Sequence, residues 1–314
     1  MRTFCTIITH NYIPYAKTLH RSLVQFNKEE KLVVLIVDGD TPIEAEPGIS
    51  YLRINDIYNT PKADIIYNKY AQQDPDALRW GLKPVLLSYL LTKGYSKIIF
   101  ADCDLYFFNP YEFLFQELDT HAVLLTPGST TRSPQVHEEE FLSGYKYGQF
   151  NAGFAGVTVN AQPMLNWWAD CCAYRVETNF NDGLFVDQKY LDAAPVLFDN
   201  VGIVRHKGCN IAFWNQHENK RVLKGSEVWI NGEFPVIFIH FTNKYIPELL
   251  NGNDPLIYPY FLAYEKTFNE SGSTLKEFIP GLPEYKEPNV LLRIKRKLLI
   301  RTRIKRWLFR LSQQ

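Results

Sequence analysis

Ser96-Lys97-Ile98-Ile99-Phe100-Ala101-Asp102-Cys103-Asp104-Leu105-Tyr106-Phe107 is a short apolar run that stops on two carboxylates one residue apart. Lys97 to Ala101 carries the β-branched and aromatic residues of a buried strand. Carboxylates are costly to desolvate, so Asp102 and Asp104 belong at the mouth of that strand, facing water or a cation. In an open α/β sheet, ligands bind outside the carboxyl ends of the strands. Two carboxylates plus diphosphate oxygens suit Mg2+ or Mn2+, which seldom takes an all-protein cage. The bland alternative is a solvated turn in which Asp caps the next segment.

Upstream, Thr3 to Thr9 is a strand candidate, and Tyr15 to Phe26 spaces Ala16, Leu19, Leu23 and Phe26 as a helix does. Pro14 suits the helix start. Leu32 to Val37 is a second strand, apolar throughout as in a parallel sheet. Strand, helix and strand in this order open a nucleotide-binding α/β fold. Neither a Gly-x-Gly-x-x-Gly loop nor a Walker loop is present. Nucleoside recognition would then fall to side chains at the two strand ends, Thr9, Asn11 and Asp38, unless these serve as caps and turns. Asp38-Gly39-Asp40 is a rival Asp-X-Asp, but its glycine reads as a tight turn. Residues 41 to 75 read as a variable helical or loop insertion.

Lys83 opens a helix over Val85 to Leu91 that Gly94 closes. A cation at a helix start is unfavourable without a nearby anion, so Lys83 reads as a partner for donor phosphates or sugar, or as a solvated lysine. Val123 to Thr126 is another strand, and Thr130 to Glu140 a polar lid, acceptor loop or solvated face. In Phe150-Asn151-Ala152-Gly153-Phe154-Ala155-Gly156, small residues let the backbone pass close to a ligand or another strand. A helix runs from Pro163 to about Arg175. Asp187 reads as the cap of an amphipathic helix, and His240 ends the apolar run Pro235 to Ile239.

Taken in order, these pieces resemble the GT-A glycosyltransferases, and most of all glycosyltransferase family 8 and its bacterial relatives in cell-surface glycan synthesis. The matching stretches span residues 1 to about 245: Thr9 to Tyr12, Leu82-Lys83-Pro84, Ile98 to Asp104, Asn151-Ala152-Gly153-Phe154, Asp187-Gln188 and His240-Phe241. The resemblance implies an α/β GT-A fold, Rossmann-like, with a mostly parallel central sheet flanked by helices. It implies a metal-dependent transferase moving a sugar from a nucleotide-diphosphate donor, a UDP-sugar by family, to a hydroxyl of a glycan or lipid-linked oligosaccharide. Asp102, Asp104 and His240 would hold Mn2+ or Mg2+. Thr9, Asn11, Tyr12, Asp38, Lys83, Asp102 and Lys244 would meet the donor, and Asn151, Asp187 and Gln188 would line the reacting sugar and acceptor. Retention is favoured over inversion, for which Asp187 would be the base. One departure stands out: where the family has Gly-x-x-Lys-Pro-Trp after the metal histidine, this chain has Phe241-Thr242-Asn243-Lys244.

Composition frames this reading. The 314 residues are 46% hydrophobic and 15% aromatic, enough for a sizeable core and a pocket-bearing protein. Residues 1–285 read as one catalytic domain, with a nucleotide part about 1–125 and an acceptor part about 126–285. The zero net charge hides an asymmetry. Nine of the 34 basic residues lie beyond Pro288 with no acid among them, leaving 25 basic against 34 acidic residues before it. Ile300, Ile304, Trp307, Leu308 and Leu311 sit among those charges at helical spacing. Residues 286–314 therefore read as a basic amphipathic tail for an anionic membrane surface. The acidic body argues against nucleic acid. Five cysteines without metal-ligand spacing predict neither a disulfide framework nor a zinc site. With no leader and no run of about 18 apolar residues, a cytoplasmic protein at the inner membrane face is expected. A sugar nucleotidyltransferase should begin with a Gly-rich phosphate loop, which Thr9 to Tyr12 is not. A non-catalytic carbohydrate binder would not need Asp102, Asp187 and His240 together.

Overall fold

A computed structural model describes residues 1–129 and 131–286; all of the basic tail except Lys286 lies outside the described residues. In chain order the strands are β1 (Arg2–Ile8), β2 (Leu32–Ile36), β3 (Ile49–Arg53), β4 (Lys97–Ala101), β5 (Leu105–Phe107), β6 (Val123–Pro127), β7 (Phe150–Thr158), β8 (Thr178–Asn179), β9 (Leu184–Phe185), β10 (Val201–Ile203), β11 (Arg221–Lys224), β12 (Glu227–Ile230), β13 (Phe234–Pro235) and β14 (Phe238–His240). Seven form the central sheet in the order β10-β6-β7-β4-β1-β2-β3. β1 runs parallel to β2 and β4, β2 to β3, and β6 to β10, while β7 is antiparallel to both β4 and β6. The sheet is mostly parallel, as expected.

Side chains on a strand alternate between faces, and the two cores follow that alternation. Phe4, Ile8, Val34, Ile36, Ile99 and Ala101 join one core, with Ala16, Leu19 and Leu23 of the helix Ile13–Val24. Cys5, Ile7, Val33, Leu35, Ile98 and Phe100 join the other, with Val85, Leu86 and Leu90 of the helix Lys83–Thr92 and Trp168 of the helix Gln162–Tyr174. Continuous apolar strands are thus explained by burial on both faces. Gly94 closes the helix Lys83–Thr92 at φ +88°, a left-handed conformation open to glycine.

Two expectations need correction. Residues 41 to 75 are not a mere insertion, because Ile49–Arg53 is the edge strand β3, paired in parallel with β2. Only Ile49 of β3 is buried, so the strand lacks the apolar signature of its neighbours. Asp187 does not cap an amphipathic α-helix. It lies in a turn after β9, followed by the 3-10 helix Lys189–Ala193 and the one-turn helix Ala194–Leu197.

The five cysteines are free thiols. No helix among the described residues is long and apolar enough to cross a membrane. Beyond the sheet, β11-β12-β13 form a small antiparallel sheet, tied down by a buried ion pair. Arg221 Nε lies 2.9 Å from Asp254 Oδ2, which also accepts the Tyr245 hydroxyl at 2.8 Å. Both charged side chains are almost fully buried. Removing one partner strands the other without water. Asp254→Ala should therefore lower the unfolding free energy by about 3 kcal/mol in urea titration; an unchanged midpoint would deny the pair any structural weight.

Candidate active site

The chain leaves β4 at Ala101 and turns at once. Leu105 N donates to Asp102 O at 3.0 Å, closing a tight turn that puts both aspartates at the carboxyl end of the sheet. β5 then pairs antiparallel with β14, His240 opposite Leu105. That register carries His240, 136 residues beyond Asp104 in sequence, to the aspartates: its Nε2 lies 3.0 Å from Asp104 Oδ1 and 4.0 Å from Asp102 Oδ2. One ligand atom from each of the three residues falls within 4.8 Å of the others.

β7 supplies the opposite wall. Its pairing with β6 jumps between Leu125↔Ala155 and Thr126↔Asn151, so Ala152 to Phe154 bulge. Bulges bend a strand and re-aim its side chains, and they gather near active sites. Here the bulge brings Gly153 O against Asp102 N at 2.8 Å. A Cβ at Gly153 would fall 2.6 Å from His240 Cε1 and 2.8 Å from both Asn151 Oδ1 and Asp102 Oδ2. Only glycine leaves room for those three side chains to face one point. Asn151 Oδ1 and His240 Nδ1 are buried without a hydrogen-bond partner. Buried polar atoms without a partner are rare unless a ligand meets them. Two carboxylates, an imidazole and an unfilled acceptor make a donor set that fits Mn2+ or Mg2+.

Lys83 lies beneath this group, 3% exposed. Its ammonium donates to Ala152 O at 3.1 Å and stands 3.3 Å from Asp187 Oδ2 and 3.6 Å from Asp102 Oδ1. The sequence aims Lys83 at donor phosphates; the fold turns its charge onto two carboxylates. Burial alone would lower the lysine pKa, yet Asp102 and Asp187 hold it above the ordinary value. Burial pushes Asp187, 1% exposed, up to about 6, with Lys83 opposing and Asp102 adding to the rise. Burial likewise works against the Asp104 carboxylate, but the charge and hydrogen bond of His240 outweigh it and hold the pKa below the usual range. His240 is raised in turn by Asp104, against its own burial.

Gln188 joins the walls. Its Oε1 accepts from Asn151 Nδ2 at 3.0 Å and Ala152 N at 3.1 Å, while its Nε2 donates to Tyr147 O at 2.9 Å. Asp187 is held by Trp168, whose Nε1 donates to its carbonyl at 3.0 Å. The preceding Val186 has φ +43°, an uncommon conformation for a β-branched residue and a local strain of about 1–3 kcal/mol.

The expected nucleoside contacts stand at the ends of β1 and β2. Thr9 Oγ1 donates to Asn11 Oδ1 at 2.6 Å, and exposed Asp38 accepts from His10 N at 2.5 Å. Half-buried Tyr12 stacks on Tyr15 and bonds to Asn243, one residue before Lys244. Lys244 itself is exposed. Sequence reasoning missed Arg79. Its guanidinium pairs with Asp76, lies 5.1 Å over the Tyr12 ring and helps hold the Asp104 pKa down. In sequence Asp76 and Arg79 look like an ordinary surface pair, so nothing there marked it.

A second group, His137, Glu140 and His217, also gathers ligand atoms within 4.8 Å. Its carboxylate is already engaged. Glu140 Oε2 takes the Thr131 hydroxyl at 2.6 Å, while Oε1 meets His217 N at 3.2 Å and Nδ1 at 2.6 Å. The two imidazoles stack 3.7 Å apart at 14°, so their lone pairs run side by side rather than converge. The cluster latches the helix Glu138–Tyr147 to the turn Phe213–Asn215. Thr131 and Glu140 are buried, so the stretch read as a lid, acceptor loop or solvated face is anchored at these two positions while most residues between them are exposed.

No protein-family model matches the chain. Two Bacillus subtilis proteins described as uncharacterized are similar to it. YfnD is 29% identical over 315 aligned residues, 91% of this chain and 96% of YfnD. YfnF is 24% identical over 254 residues, 78% of this chain and 82% of YfnF. Among solved structures, the galactosyltransferase LgtC in complex with donor and acceptor sugar analogs is similar in fold. Its TM-score is 0.51 at 13% identity, covering 88% of this chain and 99% of that one. The architecture is the GT-A fold expected from the sequence.

Two outcomes follow from the geometry. Lys83→Met removes the cation between two carboxylates. Asp187 has a raised folded pKa, so its stabilisation is present below the unfolded value and is lost as pH rises through about 6. The variant should therefore lose about 3 kcal/mol at pH 8 and less at pH 5, where the orphaned carboxyl takes a proton. A deficit as large at pH 5, by urea titration, would contradict the arrangement. Gly153→Ala should fold but bind Mn2+ about ten-fold more weakly or worse in titration calorimetry; wild-type affinity would show that the three side chains do not share a ligand.

Proposed function

We propose that the protein is a metal-dependent glycosyltransferase that moves a sugar from a nucleotide-diphosphate donor to a hydroxyl of a glycan or lipid-linked acceptor. The observation that carries this reading is the meeting of Asp102, Asp104 and His240 around Gly153 at the carboxyl end of β4, in a GT-A fold. The donor would lie between the ends of β1 and β2, where Thr9, Asn11, Tyr12 and Asp38 stand, and the aspartates. Residues about 1–125 would form the donor part and about 126–285 the acceptor part of one catalytic unit. A UDP-sugar is the donor we favour.

Asp102, Asp104 and His240 would hold a divalent cation, which would supply Lewis acidity toward the leaving diphosphate. Arg79, beside Asp104, adds positive field on the same side. Lys83 stands between Asp102 and Asp187 and orients both carboxylates. Asn151 and Gln188 form a rigid hydrogen-bonded edge that orients the reacting sugar. Asp187 is 1% exposed and paired with Lys83, which makes it a poor base for an acceptor hydroxyl. That burial favours retention, with the acceptor attacking from the leaving-group face and the diphosphate taking its proton. Exposed Lys244 would meet the donor phosphates. The basic tail, residues 286–314, is assigned to an anionic membrane surface, which would set the enzyme at the cytoplasmic face where polysaccharide or lipopolysaccharide is assembled.

The test is nucleoside diphosphate release from a panel of sugar nucleotides with Mn2+, Mg2+ or EDTA. One donor should give metal-dependent release, and Asp104→Ala should lower it about a hundred-fold. Pyrophosphate formation instead would make the protein a nucleotidyltransferase. If no sugar nucleotide is turned over or stabilises the fold in a metal-dependent way, a non-catalytic binder replaces the proposal.

A further inference from the structure

Beside the Asp187–Gln188 turn stands a group of aromatic rings that neither core absorbs. Phe180 is 44% exposed and Tyr147 38% exposed. Tyr147 packs edge-on against Phe185 at 4.9 Å and Phe180 at 5.7 Å, and the rings of Phe180 and Phe185 are nearly parallel, 9° apart. Single exposed aromatics are ordinary, but a contiguous group usually marks a binding surface. An open depression of about 480 Å3 adjoins it, lined by Phe180 and by Glu177, Asn179 and Asn181. Lys146 holds its ammonium 4.5 Å from the Phe180 centroid.

We propose that this surface is the platform on which an uncharged acceptor saccharide lies, an assignment that rests on the transferase reading above. A pyranose offers an apolar C–H face and a rim of hydroxyls. Aromatic rings answer the first and amides, a carboxylate and an ammonium the second. The local charges largely cancel in pairs: Arg175 with Glu177 at 2.9 Å and with Asp182 at 2.7 Å, and Lys189 with Asp192 at 2.9 Å. A balanced rim suits a neutral ligand better than an anionic membrane.

The platform is also fastened to the candidate site. Gln188 bonds to Tyr147 O with one end of its amide and to Asn151 and Ala152 with the other. Phe185 precedes Asp187 by two residues, across the strained Val186, whose N–H is held by Glu177 O at 2.9 Å. The left-handed turn at Val186 sends the Asp187 side chain inward to Lys83 while the β8–β9 hairpin stays at the surface. A saccharide on the hairpin would thus abut the Asn151–Gln188 edge.

The test uses the full chain and four neutral oligosaccharides: cellotetraose, maltotetraose, chitotetraose and mannotetraose. Saturation-transfer NMR reads their binding to wild type, Phe180→Ala and Phe180→Trp, and nucleoside diphosphate release without acceptor reads the donor site. At least one saccharide should bind wild type and Phe180→Trp. Phe180→Ala should bind it about ten-fold more weakly, with donor hydrolysis unchanged in both variants. Equal binding by Phe180→Ala, or no binding of any saccharide to wild type, overturns the platform. So does phosphatidylglycerol-vesicle binding that Phe180→Ala abolishes, since the rings would then serve a membrane. The NMR arm needs no turnover. Intact, Phe180-dependent saccharide binding with no donor hydrolysis would count against the transferase reading and in favour of the platform as a saccharide site.

Discussion

One ammonium holds the end of the central sheet together. Lys83 is buried under two carboxylates, Asp102 from the tip of β4 and Asp187 from the turn after β9. These segments are far apart in the chain, and only β4 belongs to the central sheet; β9 pairs with β8 in a separate two-stranded sheet. The Asp187 carboxylate, 1% exposed, could not sit so deep without a cation, and the lysine could not be buried without its acidic partners. The charge therefore does two jobs: it offsets desolvation, and it sets the distance between the end of β4 and the Asp187–Gln188 turn.

Around that pair, backbone pairing does the positioning. The turn after β4 points two aspartates outward. The β5–β14 pairing returns His240 to them, and the bulge in β7 opens space at Gly153. Each step is a register, and a one-residue slip in any of them would turn the side chain to the other face. The site is thus specified by strand pairing more than by contacts among the site residues themselves.

This explains what could be read in advance. Strands β1, β2, β4 and β6 were legible because both faces are buried and their sequences are largely apolar. The paired aspartates were legible because two carboxylates rarely end such a run. The edge strand β3 was not, since its half-exposed face mixes polar and apolar residues. The aim of Lys83 was not legible either, because a lysine before a helix looks the same whether it faces solvent or two acids. Arg79 and the strain at Val186 depend on distant packing against Tyr12 and Trp168, which no local pattern encodes. The resemblance carried over Asp187 and Gln188 as neighbours of one kind. The fold gives them different surroundings, one carboxylate sealed against Lys83 and one amide bridging two walls.

The balance of charge completes the argument for a cation. Three carboxylates, Asp102, Asp104 and Asp187, face Lys83, Arg79 and His240, and Arg79 is already shared with Asp76. His240 counts as positive only while protonated against Asp104. Bound through a neutral ring nitrogen to a metal, it leaves the site with a surplus of negative charge. The body around it is acidic too, with 25 basic against 34 acidic residues before Pro288. A diphosphate approaching such a surface alone would meet repulsion, whereas a divalent cation would be drawn to it. On the function proposed above, cation and diphosphate would each remove the obstacle to the other's binding, so occupancy of the two should be mutually dependent.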